Sequence, residues 1–405
     1  MMRNNLAFGK PQCIHSYYNP FIISIFMLIA GCNAPDKYSE GNKQDILVTA
    51  PGKKEMILLT DRPPNLETPL SYFKLDYTPN DVFFVRWHNP VLPAAVDEDT
   101  FRLRIKGQVN KELALSLNDL KTKFKKDSIV ALAVCAGNAR SFCDPRVPGG
   151  QWKNGAMGNA KWTGVKLKDV LEMAGVQPGA YEVSFNGLDN PSFKTVADFE
   201  KSLKIDHALD GEVMIAYAMN NEPLPMLNGY PLKLVVPGWY ATYWVGMLSE
   251  ITIHQDTFNG YWMKKAYLIP KGSRDANEKP DSLTKDLEPV SKIDIRSIFV
   301  SPEPGTVLKQ GVNTEIEGLA FDAGDEITKV EISKDDGKTW EFAKLQPALG
   351  KYAWRRWRFS WTPSKGTHTF KVKATNAIGE TQPEHHWNRS GYMRNEIESL
   401  ELMVD

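Results

Sequence analysis

A glycine-rich segment behind a single cysteine constrains this chain more than any other feature. Cys135 closes an apolar run at 129–134, and the residues from there to Gly164 include six glycines, three asparagines and two arginines. An apolar run that ends at turn-forming residues predicts a buried strand, which delivers the cysteine to the start of an irregular loop. Glycines at this density let backbone approach a bulky group and let N–H groups point at an anion. The segment therefore predicts a thiolate metal ligand beside an anion site.

The motifs in and around this segment resemble those of the sulfite oxidase family of molybdenum enzymes. In that family a Cys-x-Gly-Asn-x-Arg motif binds molybdenum and a Gly-Ala-x-Gly-x-Ala-x-Trp-x-Gly run follows, as matched here at 135–140 and 155–164. Residues 83–88 are similar to the family's Phe-Phe-x-Arg-x-His motif, and residues 231–238 to its Pro-x-basic-Leu-Val-Val-Pro-Gly motif. Because several motifs occur in the family's order, the resemblance is specific.

The resemblance implies a molybdenum cofactor, Mo-molybdopterin, with Cys135 as the metal ligand. The pterin ends in a phosphate, which needs basic or N–H donors. Compared with the vertebrate pattern, Asn228 replaces a histidine and Lys233 an arginine, while Tyr243 and Gly246 replace an arginine and a lysine. The residues expected to bind the cofactor are Phe84, Val85, Arg86, His88, Cys135, Asp189, Asn228, Lys233, Trp244, Val245 and Gly246.

Arginines are the expected ligands of the substrate. Sulfite is a small oxyanion, and guanidinium groups suit oxyanions because their donors are fixed in one plane. The resemblance implies that Arg86, Arg140 and Arg394 bind the anion, with Arg389 as the competing choice for Arg394.

A tyrosine and a histidine complete the expected catalytic set. Tyr267 stands where the family carries its active-site tyrosine, and its phenol can donate a hydrogen bond to the anion. His88 belongs to the same motif as Arg86. The catalytic residues implied by the resemblance are Arg86, His88, Arg140, Tyr267 and Arg394.

The residue types alone leave one alternative open for Cys135. Cys143 lies close in sequence, and an exported protein tolerates a disulfide if both side chains point toward each other. The surrounding motif favours the metal ligand, with Cys143 as a reduced structural residue.

Periodicity and turn residues predict an α+β fold in two domains. A mixed α/β domain should be followed by an all-β immunoglobulin-like sandwich, and the resemblance implies that the first binds molybdopterin and the second mediates dimerisation. Expected elements are a helix over 167–174 that ends at Gly175, strands near 182–185, 213–217, 232–236, 248–254, 314–320, 327–333, 354–361 and 368–374, and a hairpin turn at 334–338. The expected organisation is a signal peptide at 1–31, a tether at 32–60, the catalytic domain at 61–272, a linker at 273–289 and the dimerisation domain at 290–405.

The N-terminus resembles a bacterial lipoprotein signal. Residues 21–30 are apolar except for Ser24, too short a run to span a bilayer but typical of a signal peptide. Small residues precede Cys32, so we expect cleavage there, acylation of Cys32 and anchoring on the periplasmic face. An ordinary signal anchor or an over-long start are the alternatives. The segment contains no Arg-Arg pair of the twin-arginine route.

The predicted function is molybdenum-dependent oxidation of sulfite to sulfate by a homodimer. With 49 basic and 49 acidic residues, the composition does not favour nucleic-acid binding. The sequence has no Cys-x-x-Cys-His motif, so no haem is expected in this chain and electrons should pass to a separate c-type cytochrome. Two alternatives stay open: a molybdopterin reductase of a sulfoxide-type substrate, and a metal-free lipoprotein binding module on the same fold.

Overall fold

The computed structural model describes residues 45–272 and 276–405. The predicted signal peptide and the acylation site Cys32 lie outside the described residues. Among those residues no helix has both the length and the apolar character that a membrane crossing requires. Residues 45–405 form one compact unit.

Residues 45–60 of the predicted tether contain ordered structure. They form two strands of an antiparallel sheet with the order β1-β2-β3-β4. Met56 is fully buried there against Leu66 and Trp87. Strands this short carry too little alternation to be recognised in sequence. The strands are β1 (Leu47–Thr49), β2 (Glu55–Thr60), β3 (Asn65–Glu67) and β4 (Val85–Arg86).

The rest of the first domain mixes short helices with two larger sheets. One sheet has the order β10-β9-β14-β5-β6, and the other has the order β12-β11-β8-β7 with β13 paired to β11. The elements are β5 (Leu103–Gly107), β6 (Leu113–Leu115), α1 (Leu117–Lys123), β7 (Asp127–Val134), β8 (Met157–Lys166), α2 (Leu167–Ala174), β9 (Glu182–Asn186), β10 (Lys201–Lys204), α3 (Ile205–Ala208), β11 (Met214–Met219), β12 (Glu222–Pro223), β13 (Lys233–Val235), β14 (Glu250–His254), α4 (Tyr261–Lys264) and β15 (Leu268–Pro270).

The predicted helix and strands of this domain are confirmed. α2 spans the predicted residues and ends at Gly175, whose φ of 69° places it in the left-handed region. The Gly175 N–H donates to the carbonyl oxygens of Leu171 and Glu172 at 3.0 and 3.1 Å, which satisfies carbonyls that a helix end leaves unpaired. The apolar run before Cys135 is β7, which pairs antiparallel with β8 along its whole length.

The second domain is the predicted β-sandwich. Its sheets have the orders β17-β19-β23-β22 and β18-β25-β24-β20-β21, and they enclose an apolar core that includes Trp357 and Phe370. β20 and β21 flank the predicted hairpin turn. The strands are β16 (Leu287–Pro289), β17 (Arg296–Ser301), β18 (Val307–Leu308), β19 (Thr314–Phe321), β20 (Ile327–Ser333), β21 (Glu341–Phe342), β22 (Lys344–Leu345), β23 (Arg355–Trp361), β24 (Gly366–Asn376) and β25 (Glu398–Val404).

The segment predicted as a linker ends in ordered structure. β16 pairs antiparallel with β15 of the first domain, so residues 287–289 belong to a strand rather than to a linker. A polar stretch separates β15 from β16 in the sequence, so the pairing of the two strands could not be predicted from local pattern. The exact domain limits stay predictions.

An apolar cluster and a buried polar network join the two domains. The cluster includes Phe73 and Trp354, whose rings lie 5.3 Å apart. In the network, Glu398 accepts a hydrogen bond from Asn154 Nδ2 at 2.6 Å and pairs with Arg296 Nη2 at 3.1 Å. Asn154 Oδ1 also accepts from Arg296 at 2.6 Å. The sandwich thereby holds the glycine-rich loop that contains Asn154.

We expect Glu398→Gln to destabilise the protein by about 3–5 kcal/mol, because removing one partner of a buried ion pair leaves an uncompensated charge. Arg296 would be the uncompensated group. The midpoint of denaturant unfolding measures the effect. Glu401→Gln, on the exposed face of the same strand, is the matched control, and equal midpoints for both variants would contradict the prediction.

Candidate active site

The backbone around Cys135 is fixed on both sides. Its N–H donates to the carbonyl of Ala156 at 2.9 Å, and its own carbonyl accepts from the N–H of Asn138 at 2.9 Å. Both Cys135 and Cys143 are free, buried thiols. The alternative disulfide is therefore not formed, and the Cys135 sulfur is available to bind a metal.

Two cavities meet at Cys135. The first is lined by residues of the Phe-Phe-x-Arg-x-His motif and by the loop after β13. The second is lined by the glycine-rich loop and by residues 389–392 of the sandwich domain. Arg86, Cys135 and Tyr267 line both cavities. A group bound in the first cavity through the Cys135 sulfur would therefore face a ligand in the second.

The structure brings nearly all of the predicted cofactor residues to the first cavity. Val85 is the exception, because its side chain is buried behind the wall with Met56 and Trp87. The predicted residues that line this cavity are Phe84, Arg86, His88, Cys135, Asp189, Asn228, Lys233, Trp244, Val245 and Gly246.

Asp189 provides one test of whether a pterin fits this cavity. The side chain is buried, and its Oδ2 has no hydrogen-bond partner among the described residues. Burial, followed by the charge of Asp198, raises the pKa of Asp189 to about 7. A buried acceptor without a donor is costly, and the N–H edge of a pterin supplies donors. The orphaned oxygen therefore fits that cofactor.

Buried lysines provide a second test. Burial lowers the pKa of Lys233 to about 8, although Asp189 opposes the shift. The Nζ of Lys233 lies 3.7 Å from where a Cβ on Gly246 would stand, so the glycine leaves room beside the amine. A second buried lysine, Lys53, lies close enough for the charge of Lys233 to lower its pKa. A buried cation behind the cavity and a half-buried one that lines it fit a phosphate. Lys53 was missed in the sequence because it falls in the predicted tether.

Tyr267 and His88 form a buried pair. Tyr267 Oη lies 2.5 Å from His88 Nε2, and the imidazole stacks on Phe199 with ring centres 3.7 Å apart. Burial, Arg86 and Lys201 lower the pKa of His88 well below its usual value, and burial raises the pKa of Tyr267. The imidazole is therefore neutral and the phenol protonated near neutral pH. Tyr267 has a φ of 57°, a strained conformation of the kind found at functional sites.

Lys201 is a further buried cation that sequence reasoning missed. Its Nζ donates to the carbonyl of Trp262 at 2.8 Å and lies 4.5 and 5.2 Å from the ring centres of Tyr243 and Tyr267. Burial lowers its pKa to about 7. Tyr243 occupies a position where the vertebrate pattern has an arginine. Lys201 places a positive charge over the ring of this tyrosine. A single lysine in a strand carries no sequence signal for this role.

Glycines make room for Arg140 at the second cavity. A Cβ on Gly137, Gly149 or Gly391 would lie 2.6–2.9 Å from the Arg140 side chain. Arg140 Nε donates to the Ser390 carbonyl at 2.9 Å, and Nη1 donates to that of Gly150 at 3.1 Å. The bulky group that the glycines were predicted to accommodate is therefore, in part, the Arg140 guanidinium itself, which lines the second cavity.

Arg394 does not line either cavity, so the structure does not support its predicted place among the substrate ligands. It pairs with Glu396 at 3.1 Å and with Glu398 at 3.5 Å. Glu396 lies in the segment that leads from Arg394 to β25, and Glu398 is the first residue of that strand. Arg389, the competing choice, lines the second cavity. Glu278 binds the Arg389 guanidinium and raises its pKa. Sequence position alone could not separate the two arginines.

Two family models match the chain. The model described as an oxidoreductase molybdopterin-binding domain matches residues 88–262. The model described as a Mo-co oxidoreductase dimerisation domain matches residues 288–400. The matches fall on the mixed α/β domain and on the sandwich.

Sulfite oxidases are similar to the chain in sequence. The mitochondrial sulfite oxidase of Rattus norvegicus is 32% identical over 364 residues, which cover 85% of this chain. The sulfite oxidase of Gallus gallus is 31% identical over 352 residues, covering 82% of this chain and 75% of the relative. The chain spans 65% of the length of the rat protein.

A solved structure shares the fold. The sulfane dehydrogenase SoxCD from Paracoccus pantotrophus superimposes with a TM-score of 0.73 at 24% sequence identity, covering 91% of this chain and 92% of that one. The similarity supports the predicted order of a mixed α/β domain and a β-sandwich.

We expect the two free thiols to react at different rates in protein prepared without cofactor. Cys135 lines both cavities, whereas burial raises the pKa of Cys143 and reduces its thiolate fraction. Brief treatment with iodoacetamide followed by peptide mass spectrometry should show Cys135 alkylated first. Equal rates would contradict the placement of Cys135 where the two cavities meet.

Proposed function

The chain belongs to the sulfite oxidase family of molybdopterin-binding oxidoreductases, and on this premise we propose that it oxidises sulfite to sulfate. In this proposal the molybdenum cofactor occupies the first cavity with Cys135 as its metal ligand, and sulfite binds in the second. The observation that carries the proposal is that the two cavities share Arg86, Cys135 and Tyr267. A metal on the sulfur can thus meet an anion held by arginines.

The overall reaction requires an oxygen source and an electron sink. Sulfite gains one oxygen atom that derives from water, and it gives up two electrons while two protons are released. When bound, the cofactor supplies the oxygen-transfer and two-electron chemistry, because no amino-acid side chain at the site can do so.

The residues of the chain position the anion. Arg140 is oriented by its bonds to the carbonyls of Ser390 and Gly150, which leaves a fixed charge at the second cavity. Arg86 Nη1 donates to the Trp87 carbonyl and to Asn65 Oδ1, the latter at 3.3 Å. Fixed guanidinium groups bind an oxyanion without reorganising, and this arrangement favours the reaction.

The Tyr267–His88 pair handles a proton in this proposal. Tyr267 is protonated and His88 neutral near pH 7 because burial shifts both pKa values in those directions. The phenol can therefore donate a hydrogen bond to a bound anion, while His88 Nε2 lies within 2.5 Å as its exchange partner. The charges of Arg86 and Lys201 oppose a second proton on the imidazole.

The partners are also proposals. We propose a separate c-type cytochrome as electron acceptor, a homodimer assembled through the sandwich domain, and a lipid anchor at Cys32 on the periplasmic face. The match to a dimerisation-domain model supports the dimer. The anchor rests on the sequence around Cys32 alone.

The first test is a Cys135→Ser variant, measured for sulfite-dependent reduction of cytochrome c and for bound molybdenum. We expect turnover to fall at least a thousandfold, since an alcohol at pH 7 is a far poorer metal ligand than a thiolate. Cys143→Ser is the control and should keep near wild-type turnover. An active Cys135→Ser variant would refute the ligand assignment.

Assays of sulfite oxidation, sulfoxide reduction and bound molybdenum on the wild-type protein separate the competing functions. Sulfoxide reduction without sulfite oxidation would favour a reductase on the same fold. Wild-type protein that contains no molybdenum after expression in a host that makes the cofactor would favour a metal-free binding module.

For Arg140→Met we expect kcat/KM for sulfite to fall about ten- to a hundredfold, because a hydrogen bond to a charged group contributes about 1.5–3 kcal/mol. Steady-state kinetics on protein of known molybdenum content gives the value. Arg146→Met is the matched control, since Arg146 is exposed and bonds Gln151 in the same loop. An equal loss in both variants would point to damage of the loop rather than to anion binding.

A further inference from the structure

The turn between β1 and β2 places a buried lysine behind the residues that line the first cavity. Lys53 is 6% exposed, and its N–H donates to the Ala50 carbonyl at 2.8 Å within the turn. The side chain of the next residue, Lys54, is exposed and pairs with Asp81 at 2.9 Å, a surface contact that contributes little to stability. The backbone N–H of Lys54 also donates to the Asp81 carbonyl at 2.9 Å. The N-terminal segment thus packs behind the lining of the cavity.

All three donors of the Lys53 ammonium bond neutral oxygens, two of them on residues that line the cavity. They donate to the carbonyls of Asn80 and Phe83 at 2.7 and 3.0 Å, and to Asn228 Oδ1 at 2.5 Å. The other end of the Asn228 amide, Nδ2, donates to the Phe84 carbonyl at 3.0 Å. Lys53 therefore fixes the orientation of an amide that lines the cavity.

The charge of Lys53 is not balanced by an ion pair. Within the described residues, no carboxylate lies at ion-pair distance from Lys53 or Lys233, and Asp81 is engaged by Lys54. Burial lowers the pKa of Lys53 to about 7, against the pull of Asp81 and with the help of Lys233. Burying a cation costs several kcal/mol unless another charge compensates it. Two such cations beside one cavity indicate that an anion compensates them when it is bound.

We propose that Lys53 is a positioning residue for the phosphate of the cofactor. It holds Asn228 in place and adds positive charge behind the part of the cavity that contains Lys233. The inference rests on the cofactor of the proposed function. It also accounts for the charge that Tyr243 and Gly246 do not provide: Lys53 and Lys233 supply it from segments that are far apart in sequence.

The test compares cofactor loading with the stability of the empty protein. Lys53→Met removes the charge and keeps the side-chain length, whereas Lys53→Gln removes the charge and keeps a hydrogen-bond donor. Lys54→Met is the matched control, because Lys54 is the exposed neighbour. Each variant is purified from a host that completes the cofactor and from one that cannot.

Bound molybdenum per chain, pterin released on oxidation, and the thermal midpoints of the loaded and empty proteins are measured. We expect both Lys53 variants to carry at least threefold less molybdenum and pterin than wild type. Their empty forms should unfold near the wild-type temperature, since the removal of a buried charge offsets the loss of its hydrogen bonds. Lys54→Met should match wild type in cofactor content.

Other outcomes overturn the inference. Full loading of Lys53→Gln would show that only the hydrogen bond to Asn228 matters. A lower midpoint of the empty Lys53→Met protein with normal loading of the folded fraction would make Lys53 a purely structural residue. Absence of molybdenum from wild type would instead contradict the proposed function, so the two failures are distinguishable.

Discussion

The antiparallel pairing of β7 with β8 is the constraint on which the site depends. It fixes Val134 opposite Met157, and the next hydrogen bond in line, from Cys135 to Ala156, sets the direction of the thiol. Beyond that bond the chain turns into the glycine-rich loop, so the sulfur stands where the sheet ends and two cavities begin. A shift of the register by one residue would turn the cysteine to the opposite face of the sheet.

Charge is distributed unequally around that sulfur. The first cavity has buried lysines and the orphaned carboxylate oxygen of Asp189, a combination suited to a large polar cofactor with both donors and a phosphate. The second has guanidinium groups held by carbonyls and by Glu278. The cavity that exposes Arg140 is therefore suited to a small anion that must enter and leave.

The sandwich domain contributes to the site by packing as well as by side chains. Its Glu398 and Arg296 hold Asn154 of the glycine-rich loop, and its Ser390 carbonyl orients Arg140. A loop so rich in glycine has a high conformational entropy when unfolded. These long-range contacts keep it in one conformation, which a rigid anion site requires.

The sequence by itself determined the features that are local in the chain: α2 with its glycine cap, the strand that ends at Cys135, and the motifs that line the first cavity. Periodicity and turn chemistry act over a few residues, so they can be read without a structure. Only the tertiary structure decided that Arg389 rather than Arg394 lines the second cavity, and that Lys53 and Lys201 lie buried beside the site. Lys53 bonds a residue 175 positions away, and such a contact depends on how strands from distant segments pack, which no local pattern records.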